Sequence, residues 1–204
     1  MSEAARFQQA LGMEVAQRLG PRYAFLKSRR ELLAEVPDGH HVIILSGSNK
    51  YSPLVEVAFY FGKRFAAARK IEKELAIYSF PCHVQQYSPN FALRGFGSYR
   101  GPCTWSVDIR DPPPSLTSEL VGAIRGLSDP FLERYGTMVA ARDAIAANDR
   151  DVFGGPMFWG QLLRLDLALN DLSHFEQWAG RLDDLAREQA NEIIRKFVAL
   201  RRVA

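Results

Sequence analysis

The most restrictive stretch of this chain is CTWSVDIRDPPP, residues 103–114. Cys103, Trp105, Val107 and Ile109 fall on one face of an extended segment, and Thr104, Ser106, Asp108 and Arg110 on the other. Successive side chains of a strand point to opposite sides, so this alternation is that of a half-buried antiparallel strand. Pro112-Pro113-Pro114 must end it, because three prolines donate nothing to a ladder.

Upstream of this strand the period switches twice. Phe7, Leu11, Val15 and Leu19 recur at four-residue spacing over residues 3–19 and predict a helix, stopped by Gly20-Pro21. From Tyr23 the period becomes two: one weakly patterned strand through YAFLKSRRELLAEV, a turn at Pro37-Asp38-Gly39, a strand HVIILS, a Gly-Ser-Asn turn and a strand LVEVAFYFG. This is an antiparallel meander, with Val55, Val57, Phe59 and Phe61 sharing one face of its last strand. Residues 63–77 return to helical spacing, with Phe65, Ala68, Ile71 and Leu75 on one side. Residues 79–101 are dense in Pro, Gly, Ser and aromatics and predict one strand near His83 to Tyr87 plus a long loop.

After Pro114 the chain reads as helices. One runs from Ser115 or Thr117 to Gly126, and a second takes SDPFLERYG, with Pro130 in its first turn. Thr137 caps MVAARDAIAAN, and Pro156 opens MFWGQLLRLDLALN. Ser173 and Glu176 have the spacing of a capping box at the head of a last helix running to about Val203, with a core stripe through Phe175, Trp178, Leu182, Leu185 and Phe197. Strands followed by helices make an α+β chain: an antiparallel sheet of about five strands, flanking helices and an all-helical C-terminal half. The prolines divide it softly into 1–111, a helix plus the sheet, and 112–204, a helical region expected to pack on the sheet as one domain.

Composition narrows the setting. With 204 residues, 47% of them hydrophobic, the chain can bury a core without staples. A net charge of +3 is far from the dense basic blocks of dedicated nucleic-acid binders. Cys82 and Cys103 are too few for a disulfide framework. No apolar run approaches the ~18 residues of a membrane span, and the N-terminus lacks a signal-peptide pattern. These features lead to the expectation of a soluble cytoplasmic protein that does not engage membranes.

HHVIILSGSNKYSP, residues 40–53, gathers the most chemical groups in one place. A phosphate cradle needs a glycine-rich loop feeding a helix N-terminus, whereas this loop has strands on both sides and reads as a hairpin with Asn49 and Lys50 at its tip. His40 and His41 point to opposite faces and read as surface or strand-end residues. Cys82, His83 and Cys103 with His41 lack the paired spacing of zinc ligands, so the thiols read as small buried apolar groups. No nucleophile elbow is present. The carboxylate pair Asp108/Asp111 reads as solvated ion pairing beside Arg110, Asp149/Asp151 as part of a polar loop, and Asp183/Asp184 as charges on a helix face. No cofactor or metal is expected. The loop QQYSPNFALRGFGSYRGP is the most unusual segment, because Tyr87, Phe91, Phe96 and Tyr99 interleave with Arg94 and Arg100. Those residue types dominate hot spots of protein interfaces and can also stack on bases and hold phosphates.

The N-terminal helix with its Gly-Pro stop, IILSGSNKYSPLVEVAFYFGKRF, the strand closing into PPP, SDPFLERYGT and the terminal helices with LLRLDLALND together resemble a loose group of small bacterial proteins, among them immunity proteins of polymorphic toxin systems. The resemblance is one of layout and implies no individual functional residues. It implies a non-enzymatic binding protein that neutralises a cognate toxin by direct contact. Immunity proteins are frequently acidic, so the mildly basic balance here implies an acidic face on the toxin. A nucleic-acid-binding accessory protein is the alternative, using the loop, the basic stretch Lys63 to Lys73 and the tail Arg195 to Arg202. An enzyme would require His41, His83 or Asp108 to converge in a pocket.

Overall fold

The computed structural model describes residues 2–51, 53–78, 80–85 and 101–203, with the side chains of 48–51 and 203 left out of the description. Helix α1 spans Glu3–Leu19. Ser2 Oγ accepts from the Ala5 amide at 3.3 Å and starts it, and Gly20, at φ 114°, ends it. Leu11, Val15 and Leu19 are buried as their spacing predicts.

The segment read as a single strand is a hairpin. Strand β1 covers Tyr23–Leu26 and β2 covers Glu31–Val36, antiparallel with Tyr23 opposite Ala34. Lys27, Ser28, Arg29 and Arg30 offer no apolar side chain to hold an extended run against a core, and Arg30 takes a positive φ of 55°. Asp38 and Gly39, at φ 64° and 154°, turn the chain into β3, Gly39–Tyr51. Strand β4, Leu54–Phe65, returns antiparallel to it. The β3–β4 ladder shifts register between Ser48 and Tyr51, and Tyr51 pairs with Leu54. Asn49 and Lys50 therefore lie in the irregular end of β3, and the chain reverses three residues later than the sequence suggests. Pro53, unable to donate to a ladder, is the residue suited to that turn.

Strands β5, Val84–Gln85, and β6, Thr104–Asp108, lie end to end along the far edge of β4. Among the described residues the sheet is thus six antiparallel strands in the order β1-β2-β3-β4, with β5 and β6 sharing the last place. One face of β4 is the centre of the core: Val55, Val57, Phe59 and Phe61 are at most 2% exposed. On β6 Trp105 and Val107, and just outside its ends Cys103 and Ile109, turn to the same interior.

Helix α2, Ala66–Glu74, follows β4 without a break, so Lys63 to Phe65 belong to the strand and not to the helix. Ala68, Ile71 and Leu75 form its buried stripe. Helix α3 is continuous from Leu116 to Tyr135 and passes through Pro130, where the sequence suggests two helices. Proline removes one amide from the helical ladder. The buried stripe of Leu116, Leu120, Ile124, Leu127, Phe131 and Tyr135 nonetheless runs straight across it, and the Phe131 ring meets Phe61 of β4 edge-on at 5.2 Å. Packing decides in favour of continuity.

Helix α4, Met138–Ala146, is capped by Thr137, whose Oγ1 accepts from Ala140 N at 3.1 Å. A 3₁₀ turn at Pro156–Phe158 leads into α5, Trp159–Leu169, which ends at Asn170 in the left-handed region. The expected long last helix is two: α6, Leu172–Ala179, and α7, Asp184–Val203. Asp171, not Ser173, caps α6, and Asp183 caps α7 by accepting from Ala186 N at 2.8 Å. The bend between them leaves Leu185 66% exposed while Phe175, Trp178, Leu182 and Phe197 stay buried. Helix α3 packs on β4, α2 and α4 pack on α5, and α7 touches α5. No helix among the described residues is long and apolar enough to cross a membrane.

Candidate functional site

Tyr87, Phe91, Arg94, Phe96, Tyr99 and Arg100, the aromatic and basic loop singled out from sequence, lie outside the described residues. The backbone of Asn49 and Lys50 is in β3, not at a hairpin tip.

His41, read as a surface or strand-end residue, is 1% exposed. It stands on β3 opposite Lys63 of β4, on the core side. Its Nδ1 shares a hydrogen bond of 3.0 Å with the Tyr23 hydroxyl, and its Nε2 has no hydrogen-bond partner among the described residues. Burial, helped by the positive charges of Arg22 and Lys63, lowers its pKa to about 3, so the ring is neutral near pH 7. Lys63 is itself only 5% exposed and donates from Nζ to the Gly136 carbonyl at 2.6 Å, just past the end of α3.

His83 is equally buried. Its Nδ1 accepts from the Phe65 amide at 2.8 Å, and its Nε2 stands 3.3 Å from Glu72 Oε1. Arg164 of α5 places Nε 3.3 Å from the same oxygen and donates to the Gly160 and Tyr78 carbonyls. Glu72, His83 and Arg164 thus join α2, the approach to β5 and α5 below the surface. Burial pushes the His83 and Arg164 pKa values down despite the neighbouring carboxylate. A second pair joins α5 to α6: Asp166 is fully buried with the Nδ1 of the partly exposed His174 at 3.0 Å, and burial raises the Asp166 pKa to about 6. Two charges in the apolar run LLRLDLAL were the sequence signal for both networks.

Asp108 is an exposed partner of Arg110 at 2.6 Å, opposite Leu54 at the far end of β4 from Lys63. Nine residues of strand separate those ends (63 − 54), ~30 Å at the usual rise. His41, His83 and Asp108 do not converge. Cys82 and Cys103 are free, buried thiols whose pKa values burial raises to about 12 and about 11. No cluster of three or more His, Cys, Asp and Glu suited to a metal ion occurs among the described residues. Asp149 and Asp151 are both held by Arg134 at 3.3 Å.

The arrangement that gathers unusual side chains at the surface is a groove on the sheet face turned away from α3. The ladder places Glu35, His40 and Arg64 in one row across β2, β3 and β4. Helix α2 begins two residues after Arg64 and sets Arg69, Lys70 and Lys73 along the groove's other side, with Leu33 and Ala66 also lining it. One end continues to Arg29, Glu31, Tyr78 and Phe80 and shares Arg64 and Arg69. The other end continues to Arg22, Ala24 and Glu35 and shares Leu33 and His40. Along this line six Lys and Arg side chains face two Glu, in a chain whose whole excess is +3.

The cations are not equivalent. Arg64 is held by the Pro81 carbonyl at 2.6 Å and by the buried Glu31 at 3.6 Å. Arg69 meets Glu72 at 3.3 Å, and Lys70 stands 3.8 Å from Glu74 with three quarters of its side chain exposed. Arg29 and Lys73 have no ion-pair partner among the described residues. Sequence reading found the basic stretch but assigned Lys63 to it, and it could not foresee that β3 carries His40 alongside Arg64. Helix α7, with Arg195 to Arg202, contributes nothing to the groove.

Comparison with protein-family models, with curated proteins and with solved structures gives no match to this chain.

Proposed function

We propose that this chain is a cytoplasmic binding protein of the immunity type, which neutralises a cognate bacterial toxin by occupying an acidic face of it. The observation that carries the reading is the cationic groove beside α2, an open surface lined by six Lys and Arg side chains and two Glu. Complementary fields steer encounter and select partners, so a concentrated positive surface fits an acidic counterpart. The interior ionisable groups support the same reading: His41, His83, Glu72, Arg164 and Asp166 are each engaged in holding elements together. The layout resemblance to immunity proteins supplies the biological class of partner.

The test is co-expression of the chain with toxins encoded beside its gene, together with affinity purification from the native host. Rescue of growth and a co-purifying acidic protein are expected; no rescue and no partner would overturn the proposal. The excess of Lys and Arg also favours a second reading, a nucleic-acid partner. Binding to single strands that weakens steeply with salt would mark it, because each phosphate contact releases counterions.

A further inference from the structure

The groove's lining narrows what kind of partner segment it takes. The stretch between β3 and α2 carries Arg64, Arg69, Lys70, Lys73 and His40, and no carboxylate among its lining residues. Leu33 and Ala66 form an apolar strip between those charges. Arg64 and Arg69 are tied back to the buried Glu31 and Glu72, which fixes their position and offsets part of their charge. Lys73, without an ion-pair partner among the described residues, and Lys70, with only a long contact to Glu74, are the cations available to an incoming group.

We propose that this stretch seats an acidic, partly apolar segment of a protein partner, with carboxylates on Lys70 and Lys73 and an apolar side chain on the Leu33–Ala66 strip. The assignment rests on the binding-protein reading above and adds the chemistry of the occupant. A nucleic-acid backbone fits less well. It brings a charge at every phosphate and no aliphatic group, while the two best-fixed guanidiniums here already answer carboxylates of this chain. A segment with carboxylates spaced by small apolar residues uses both the exposed ammonium groups of Lys70 and Lys73 and the strip beside them.

The test is fluorescence anisotropy of a labelled peptide with a Glu-Leu-Glu-Ala repeat on the full chain. The controls are the same peptide with Gln in place of Glu and a labelled oligo-dT. The K70E/K73E variant reports on the site; both side chains are exposed, so its circular dichroism and melting temperature should match the parent. K196E, on the exposed face of α7, is the control for a charge reversal away from the groove. The acidic peptide should bind the parent and K196E alike, lose at least ~tenfold affinity in K70E/K73E, and bind far more tightly than the Gln peptide. Undiminished binding by K70E/K73E, equal binding of the Gln peptide, or tighter binding of oligo-dT overturns the assignment. The co-expression experiment separates the two proposals. A K70E/K73E chain that still rescues toxin-expressing cells removes the partner from this groove and leaves neutralisation standing. A parent chain that binds the acidic peptide but rescues nothing removes the toxin and leaves the site.

Discussion

His41 shows what one buried residue does to the whole protein's response to acid. Its ordinary pKa of 6.5 falls to about 3 because the folded chain strips the ring of water and sets Arg22 and Lys63 nearby. The folded state therefore resists a proton that the unfolded state accepts. The contribution of the neutral ring is fully present above pH 6.5 and is lost as the pH falls towards 3, at about 1.4 kcal/mol per pH unit. His83, also lowered, acts in the same direction, while Asp166, raised to about 6, adds stability on acidification and offsets part of the loss. Urea unfolding of the parent should show a midpoint that drops between pH 7 and pH 4. His41→Gln, which cannot titrate, should show a clearly shallower drop even though its stability at neutral pH is lower. Equal slopes would mean that His41 is not protected from protons in the fold. The sequence placed this histidine correctly on β3 but not its burial, because Tyr23, its partner, comes from a strand two places away in the sheet.

At the scale of elements, several local signals were read correctly because neighbours in sequence carry the information. Gly20 ends α1, Thr137 caps α4, and the alternation in β4 and β6 became the buried face. The misreading of α3 has a cause of another kind, which is that tertiary packing outweighs a local punctuation mark. Gly126 and Pro130 looked like the end of one helix and the start of another, yet α3 runs through both because its stripe lies against β4 along its length. The same helix offers a clean test. Gly122 is exposed within α3, and a methyl group added there meets nothing within 4 Å. Gly122→Ala should stabilise the chain by about 0.5–1 kcal/mol, through the conformational entropy that glycine loses in a helix. A rise of roughly 2–4 °C in melting temperature is expected for a chain of this size at 1 kcal/mol. An unchanged or lower melting temperature would argue against a continuous helix at that position.

At the scale of the molecule, the contact of Phe61 with Phe131 joins the sheet to the helices beyond the three prolines. Both rings are fully buried, so Phe131→Ala should cost about 3–5 kcal/mol. Because the two regions share this seam, far-ultraviolet circular dichroism and tryptophan fluorescence should report coincident unfolding transitions in the parent. Trp105 lies on β6, and Trp159 and Trp178 lie on α5 and α6, so the fluorescence samples both regions. Separate transitions would show that the halves fold independently. The sequence by itself determined the class of the protein: which stretches alternate, which recur at helical spacing, and where the prolines end the sheet. Those patterns follow from a strand's period of two and a helix's of 3.6, and they need no distant residue to be visible. Only the tertiary structure decided the groove, since His40 and Arg64 become neighbours through the β3–β4 ladder and Lys70 and Lys73 join them because α2 leaves β4 without a turn. A ladder pairs residues far apart in sequence, and no spacing within one segment records which partners it will bring together.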